Sequence, residues 1–453
     1  MRVRVLTWAA ALMAAVFLTT APAPAAEPAP APAPAGDELG LAELTALALT
    51  RHPSVQQAAA NREAARARLV QQRSYFWPQA DAEASWRKSR NERTTLGDPG
   101  DRQVLAGLNL SQALIDLPQW SKTEASSWEA DAYDQQYLSV LNAVRAEVRF
   151  AFLDLLAARR LLSVAVAKED DTRAFRDRTG RLLAQGLSAK PELARAELDL
   201  AEARRAVIEA KTSLRRLAAR LAPAVGAPQV YDLAVGGEVT ADPATAGLRE
   251  PGLEELGLAR RPEVRQLDYL SRAAAAAVEA AQGGHLPTLD FRADFGQTGQ
   301  DGLHDEYHDY GLYLDLPLFT GWRITGTVKE RQALKRAADQ SWELQRQGVR
   351  REVRQGWQGL IEARAKVEVG DVQQKAAEEN WRLVKGRYDN GLANPLELSE
   401  ARTQLYNARA EVARAHYGVL SALAELDRAV GGAILPFGPD ADPTAAPAGS
   451  GIR

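Results

Sequence analysis

The chain is written twice, and no other feature constrains its fold as much. Pro53 and Pro262 stand 209 residues apart, and so do Pro78 and Pro287. Val144-Arg145-Ala146-Glu147-Val148-Arg149 returns as Val349-Arg350-Arg351-Glu352-Val353-Arg354, 205 residues later. Gly186-Leu187 and Gly391-Leu392 keep the spacing of 205. Four anchors in one order and at nearly one offset mark a duplication. About four residues are lost from the second copy between the positions equivalent to 78 and 144. The repeats cover 39–222 and 251–432, joined by a Pro/Gly/Ala-rich connector over 223–250.

Outside the repeats the chain reads as processing and linker sequence. Met1-Arg2-Val3-Arg4 is basic, Val5 to Leu18 is apolar, and Ala21-Pro22-Ala23-Pro24-Ala25 offers small residues for cleavage. Residues 1–25 are therefore expected to be a secretory signal peptide, followed by an Ala/Pro linker over 26–38. Residues 433–453 are Pro/Gly/Ala-rich and are expected to form a disordered tail.

Each repeat has the same grammar. A helical stretch ends at an aromatic or apolar residue before proline, at Tyr75-Phe76-Trp77-Pro78 and at Leu286-Pro287. Two alternating segments follow, within about 79–115 and 288–318. A very long helical stretch then breaks once, at Gly186 or Gly391. Leu141, Val144, Val148, Ala151, Leu155, Ala158, Leu162 and Ala165 step by three and four without a break. Val349, Val353, Gly356, Leu360, Ala363 and Val367 repeat that seam, which predicts long antiparallel helical hairpins. On the helices alone, a structural envelope coiled coil would suffice.

The alternating segments argue for more. Leu289, Phe291 and Phe295 share one face of a strand, and Leu312, Leu314 and Leu316 share one face of the next. Asp290, Arg292, Asp294 and Asp315 fall on the opposite face. Ala82, Ala84 and Trp86 oppose Asp81, Glu83 and Ser85 in the first repeat. Segments of about 8–11 residues suit tilted strands that cross a bilayer. The leucine and phenylalanine set is then lipid-facing and the charged set lumenal, with Phe76, Trp77, Trp120, Phe319 and Trp322 as interfacial aromatics. The polar turns Arg90–Arg102 and Gly299–Asp309 read as exposed loops. Four strands leave open edges that lipid cannot satisfy, so two or three copies must close a barrel of eight or twelve strands.

The most specific motifs are the Arg-x-Pro-x-Val openings at Arg51 and Arg260 and the strand exits Gln112-Ala113-Leu114-Ile115-Asp116 and Leu316-Pro317-Leu318-Phe319-Thr320-Gly321. To these is added Arg387-Tyr388-Asp389-Asn390-Gly391-Leu392, leading to Leu396-Glu397-Leu398-Ser399-Glu400-Ala401. Through these residues the chain resembles the TolC-type outer-membrane efflux proteins over about residues 39–432. The resemblance implies a mainly α fold with membrane β. It implies a homotrimer whose 12-stranded outer-membrane barrel, four strands per chain, continues into a periplasmic α-helical coiled-coil barrel. It also implies a periplasmic adaptor (membrane fusion) protein and an inner-membrane pump as partners, and passive transport. By the same resemblance Glu397 and Glu400 line the periplasmic gate, and Glu192 and Tyr388 help hold it closed. Gly186, Leu187, Gly391 and Leu392 would meet the adaptor. Ala393 stands where the archetype of the family has an arginine, so a salt-bridge lock through that residue is absent.

Composition excludes several other functions. The chain has no cysteine, so it forms no disulfide and is not lipidated on cysteine. Its 56 basic and 59 acidic residues argue against nucleic-acid binding. A mean hydropathy of -0.31 is too polar for a bundle of membrane helices. No catalytic constellation and no cofactor site is legible. His304 and His308, in an acidic run, are weak candidates for a metal site. The function expected is the outer-membrane channel of a tripartite efflux system, for small molecules or metal ions. The duct of a type I protein secretion system remains open, and so do a periplasmic adaptor and a structural coiled coil.

Overall fold

The computed structural model describes residues 40–89, 101–226, 250–300 and 303–432. The expected signal peptide, Ala/Pro linker and tail, and most of the connector, lie outside the described residues. The first repeat runs α1 (Leu41–Arg51), α2 (Pro53–Ser74), β1 (Gln79–Ser89), β2 (Asp101–Ile115), α3 (Leu117–Ala184) and α4 (Lys190–Ala224). The second runs α5 (Glu250–Arg260), α6 (Pro262–Gly283), β3 (Thr288–Gln300), β4 (Leu303–Asp315), α7 (Arg323–Asp389) and α8 (Pro395–Ala429).

The duplication holds element by element. α1 and α5 have 11 residues each, α2 and α6 have 22, and α4 and α8 have 35. α3 and α7 have 68 and 67. At 1.5 Å per residue each long helix extends about 100 Å. Gln79 pairs with Ser111, and its equivalent Thr288 pairs with Asp315. The offset therefore falls from 209 to 204 across the hairpin, rises to 206 at the start of the long helix and ends at 205. The second repeat thus has a hairpin shorter by five residues, a strand-to-helix link longer by two and a long helix shorter by one. These sum to the four residues expected.

Local chemistry sets the boundaries. The helical stretch expected before the strands is two helices in each repeat, split at Pro53 and Pro262. Proline disfavours helical backbone in the residue before it, and His52 and Arg261 are extended, with ψ of 127° and 122°. His52 Nδ1 then accepts from the Ser54 N–H at 3.2 Å, Asp116 from Gln119 at 2.9 Å, and Asn394 from Glu397 at 2.8 Å. Both hairpins turn at a left-handed glycine, Gly186 (φ +73°) and Gly391 (φ +72°). The Leu187 N–H donates to Leu182 O at 2.8 Å and the Leu392 N–H to Arg387 O at 2.8 Å. Glycine is needed there because a Cβ crowds the carbonyl in this conformation.

Each repeat packs its own core. Leu44, Val148, Leu155, Leu221 and Val225 close the first, and their equivalents Leu253, Val353, Leu360, Leu426 and Val430 close the second. A smaller cluster of Leu153, Leu420 and Ala424 joins α3 to α8 across the repeats. Beside it Arg149 pairs with buried Asp427 at 2.6 Å. The expected seams are confirmed: Val144, Val148, Ala151, Leu155 and Ala158 are buried on α3, and Val349, Val353, Gly356 and Leu360 on α7. Near the sheet, α2 packs on α3, α3 on α6 and α6 on α7. Away from it, α4 packs on α3, α3 on α8 and α8 on α7.

The four strands form one antiparallel sheet in the order β1-β2-β3-β4, with the repeats joined through β2 and β3. β1 has 11 described residues, within the 8–11 expected, but β2, β3 and β4 run longer, to 15, 13 and 13. Most of Gly299–Asp309 is therefore ladder rather than loop, and Asp101 and Arg102 belong to β2; residues 90–100 of the other turn lie outside the described residues. The backbone ladder needs no apolar side chains, so pairing continues where the apolar pattern stops. Leu316 lies one residue beyond the end of β4.

Three glycines test this packing. A Cβ on Gly356 would come within 3.2 Å of the Leu426 backbone, whereas one on Gly359 meets nothing within 4 Å. Gly359→Ala should stabilise the protein by about 0.5–1 kcal/mol through helix propensity. Gly356→Ala should destabilise it, because overpacking costs about 1–3 kcal/mol; denaturant unfolding reads both. Gly391→Ala should cost about 1–2 kcal/mol locally, visible as faster hydrogen exchange at the Leu392 amide.

Candidate functional site

The molecule presents two regions of functional character, the sheet and the hairpin tips. Cross-strand register assigns the faces of the sheet. Leu289 pairs with Leu314, Phe291 with Leu312, Ala293 with Tyr310 and Phe295 with His308. Leu108 and Leu110 continue this face on β2, and Ala80 and Ala82 on β1. Phe295, Leu312 and Leu314 are exposed in the single chain, as are Tyr310 and Leu108. From Leu289 to Phe295 the apolar band spans seven residues, about 20 Å. It ends at Gln297 and Glu306, which hydrogen-bond at 3.2 Å.

The opposite face is polar. Asp81, Asn109, Asp294 and Asp309 form one cross-strand row, and Glu83, Asp290 and Asp315 share its face at other heights. Arg292 stands among these acids, 3.5 Å from Asp290 and 5.0 Å over the Tyr313 ring. Tyr307 lies flat across Gly296 and reaches Gly107 on β2; a Cβ on Gly296 would come within 2.7 Å of its ring. An aromatic laid over strand glycines pins the register. Where strands meet helices, Phe76 packs edge-on to Trp120 and Phe319 edge-on to Trp322. Trp77, Trp120, Phe319 and Trp322 are all largely exposed. Trp322 has a left-handed φ of +66°, a costly conformation for a bulky residue, and it holds the indole outward at the corner.

The metal candidate changes character. His304 and His308 are in β4 rather than in a loop, four residues apart and so about 13 Å apart along the strand. No metal-binding group of three is found among the described residues.

At the other end the tips gather the expected residues. Leu187 and Leu392 follow the turning glycines and are 72% and 69% exposed. Glu397 occupies the first turn of α8, with Arg387 Nη1 3.8 Å away. Glu400 lies one turn on and is exposed. Glu192 occupies the equivalent first turn of α4 and accepts a hydrogen bond from the Ser188 hydroxyl. Tyr388 packs on Phe175 of α3 at 5.7 Å. Burial raises its hydroxyl pKa above the usual tyrosine value, and the nearby Glu192 carboxylate raises it further. Tyr388 and Glu192 therefore lie close enough to interact electrostatically.

Reading the sequence missed the contacts that join the two hairpins of the chain. Arg178 of α3 pairs with Asp389 of α7 at 2.7 Å. The Ser399 hydroxyl donates to Asp199 of α4, and the Tyr406 hydroxyl to Ala167 O of α3 at 3.0 Å. Arg402 of α8 is 4% exposed, with its guanidinium 4.5 Å over Phe175 and Nε 3.1 Å from Asp171. A signal was present. Ser399, Arg402 and Tyr406 each follow a buried apolar residue (Leu398, Ala401, Leu405), so the apolar face of α8 is widened by polar groups that need partners.

Comparison with known proteins agrees with this geometry. The family model described as "Outer membrane efflux protein" matches residues 44–227 and 254–432, one match per repeat. Outer membrane protein TolC of Escherichia coli (strain K12) is 25% identical over 391 residues, covering 82% of this chain and 77% of TolC. Alkaline protease secretion protein AprF of Pseudomonas aeruginosa is 26% identical, covering 86% of this chain and 83% of AprF. The structure of the outer-membrane channel OprN superposes with a TM-score of 0.77 at 21% identity, covering 86% of this chain and 90% of that one. Matched through both repeats, the chain belongs to the outer membrane efflux protein family and resides in the outer membrane.

Proposed function

We propose that the chain is one subunit of a homotrimeric channel, the outer-membrane exit duct of a tripartite efflux system. It receives small molecules or metal ions from an inner-membrane pump through a periplasmic adaptor, and performs no chemistry itself. One observation carries this reading: every edge of the fold ends in a surface built for pairing and left unpaired within the chain. β1 and β4 each have a neighbour on one side only. α4 carries an exposed seam of Ala194, Leu198, Ala201 and Ile208, and α7 one of Ile361, Ala365, Val369, Val372 and Ala376. Both seams step by three and four, apart from the skipped position at 205, as packed helices require. A neighbouring copy satisfies all of these edges at once, β1 against β4 and α4 against α7. Three copies of four strands give twelve, enough for a lumen.

In such a barrel the Leu289, Phe291, Phe295, Leu312 and Leu314 face meets lipid, with Leu316 just below the strand. Asp290, Arg292, Asp294 and Asp315 face the lumen. Glu397 and Glu400 ring the narrow periplasmic end, with Glu192 and Tyr388 behind them. Leu187 and Leu392 beside Gly186 and Gly391 form an exposed apolar rim, suited to an adaptor's apolar surface. Similarity to a protease secretion protein supports a second reading, the duct of a type I protein secretion system. Deletion followed by complementation separates the two: restored resistance to toxic small molecules supports efflux, and restored export of a secreted protein supports secretion.

The purified protein should be trimeric in detergent and should conduct ions in planar bilayers; a non-conducting monomer refutes the proposal. Acids in a narrow pore concentrate multivalent cations. Trivalent cations on the periplasmic side should therefore block the channel, and Glu397→Ala with Glu400→Ala should relieve the block. Phe291→Arg should destabilise the barrel by about 2–4 kcal/mol, while Asp290→Arg should leave stability near wild type and shift the reversal potential towards anions.

A further inference from the structure

We infer that a recess at the foot of β2 holds one phospholipid of the periplasmic leaflet and selects a headgroup that carries a primary ammonium. This rests on the lipid-facing sheet proposed above. The recess comes from a difference in strand length. β1 begins at Gln79, opposite Ser111, whereas β2 runs four residues further, through Ile115. Gln112 to Ile115 therefore have a strand neighbour on the β3 side only. The ladder is irregular between Ala113 and Ile115, and Leu114, between them, is exposed. Backbone groups without a ladder partner are costly in lipid unless something polar meets them. Beside this notch Phe76 packs edge-on to Trp120 at 6.0 Å, and Leu117 and Trp120 of the first turn of α3 stand exposed. The recess has a volume of about 710 Å³, within the roughly 300–1,000 Å³ of small-molecule sites.

The walls assign the occupant. Register places Gln112 opposite Phe291 and Ile115 opposite Leu289, so the strand wall belongs to the apolar face of the sheet. Phe76, Leu114, Leu117 and Trp120 offer an acyl chain an apolar bed at the level of the aromatic collar, where amphipathic rings anchor. Ser121 and Glu124 line the far end. Glu124 lies one helical turn beyond Trp120, about 6 Å, which is about the depth of a headgroup layer. One of its carboxylate oxygens, Oε1, accepts from the Trp128 indole N–H at 3.3 Å. That bond orients the side chain and leaves Oε2 for a ligand. No lysine, arginine or histidine is among the residues lining the recess. A carboxylate in a setting without a cation repels an anionic headgroup and attracts an ammonium, which has three N–H groups to donate. The walls come from one chain and lie under β1 and β2, which pair with each other, so the site needs no second copy. The second repeat does not reproduce it, because the matching first turn of α7, Arg323-Ile324-Thr325-Gly326, has no aromatic residue. One site per chain is expected.

Native mass spectrometry of the detergent-purified protein, titrated with dioleoyl phosphatidylethanolamine or dioleoyl phosphatidylglycerol, reads the preference. The expected result is one retained phosphatidylethanolamine per chain, favoured over phosphatidylglycerol by about two- to fivefold, as one exposed ion pair supplies. Glu124→Gln should abolish that preference, and Trp120→Ala should weaken the binding of both lipids. Phe319→Ala, in the collar of the second repeat, should change neither. Equal binding of the two lipids by the wild-type protein overturns the inference, as does a preference that survives Glu124→Gln. The chain has no cysteine, so Trp120→Cys can be labelled alone. If maleimide cannot reach it in the intact oligomer, a second copy covers the recess and the inference is overturned. A protein that does not insert into liposomes defeats the lipid-facing sheet itself; one that inserts and shows no headgroup preference defeats this inference only.

Discussion

A sheet of four strands has two rows of backbone N–H and C=O groups that nothing within the chain can satisfy. In water those rows cost little. In lipid each unpaired group costs several kcal/mol, so a membrane sheet with open edges does not persist. The rest of this structure answers that constraint. The apolar outer face, from Leu289 to Phe295 and from Tyr310 to Leu314, commits the sheet to lipid. The short apolar reach of that face, about 20 Å, is extended by the exposed collar of Trp77, Trp120, Phe319 and Trp322. In the trimer proposed above, copies that close the sheet must also pair the helices below it. The free seams of α4 and α7 are the helical counterpart of the free edges of β1 and β4.

Duplication reduces the design problem to one repeat and its exceptions. The two cores use equivalent residues, Leu44 and Leu253, Val148 and Val353, Leu221 and Leu426. Equivalent glycines turn both hairpins. The exceptions fall where the repeats must differ. The second repeat has the shorter hairpin in the sheet and the longer link to its helix, which carries Gly321 and Trp322 in left-handed backbone. Near the tips, α8 carries the ion-paired Arg402 where the equivalent position of α4 holds Glu197. Within a repeat the packing explains what is shared; between repeats, charge placement explains what differs.

Much of this was legible in the order of residues. Repeat offsets located both halves, because a duplicated fold must keep its prolines and turning glycines in place. Heptad steps located the long helices, and alternation located the strands and their faces. Strand ends were misjudged at Gly299–Asp309, because the backbone ladder continues after the apolar signal ends. The split at Pro53 and Pro262 was passed over, since one non-helical residue leaves the apolar pattern almost unbroken. The tip contacts were illegible for a different reason. Arg402 is more than 200 residues of chain away from Asp171 and Phe175, and an arginine on a helix reads as solvated until a partner is known. Glu397, Glu400, Glu192 and Tyr388 were reachable only because the motif around Gly391 resembles a known family.

The distribution of these features also bears on what such a duct can discriminate. Specificity is a difference in affinity between competing cargoes, and it requires surfaces that contact one cargo better than another. The polar face of the sheet offers acids at many heights, Asp81, Asp290, Asp294, Asp309 and Asp315, with Arg292 among them. Such a lining biases the sign of charge and little else. The residues with defined geometry are instead at the tips, where Leu187 and Leu392 stand exposed beside conformationally fixed glycines. In the channel proposed above, selectivity then lies in the partner accepted rather than in the molecule that passes. Similarity to the alkaline protease secretion protein AprF fits this proposal, in which a lining with little discrimination leaves the choice of cargo to the complex around the duct.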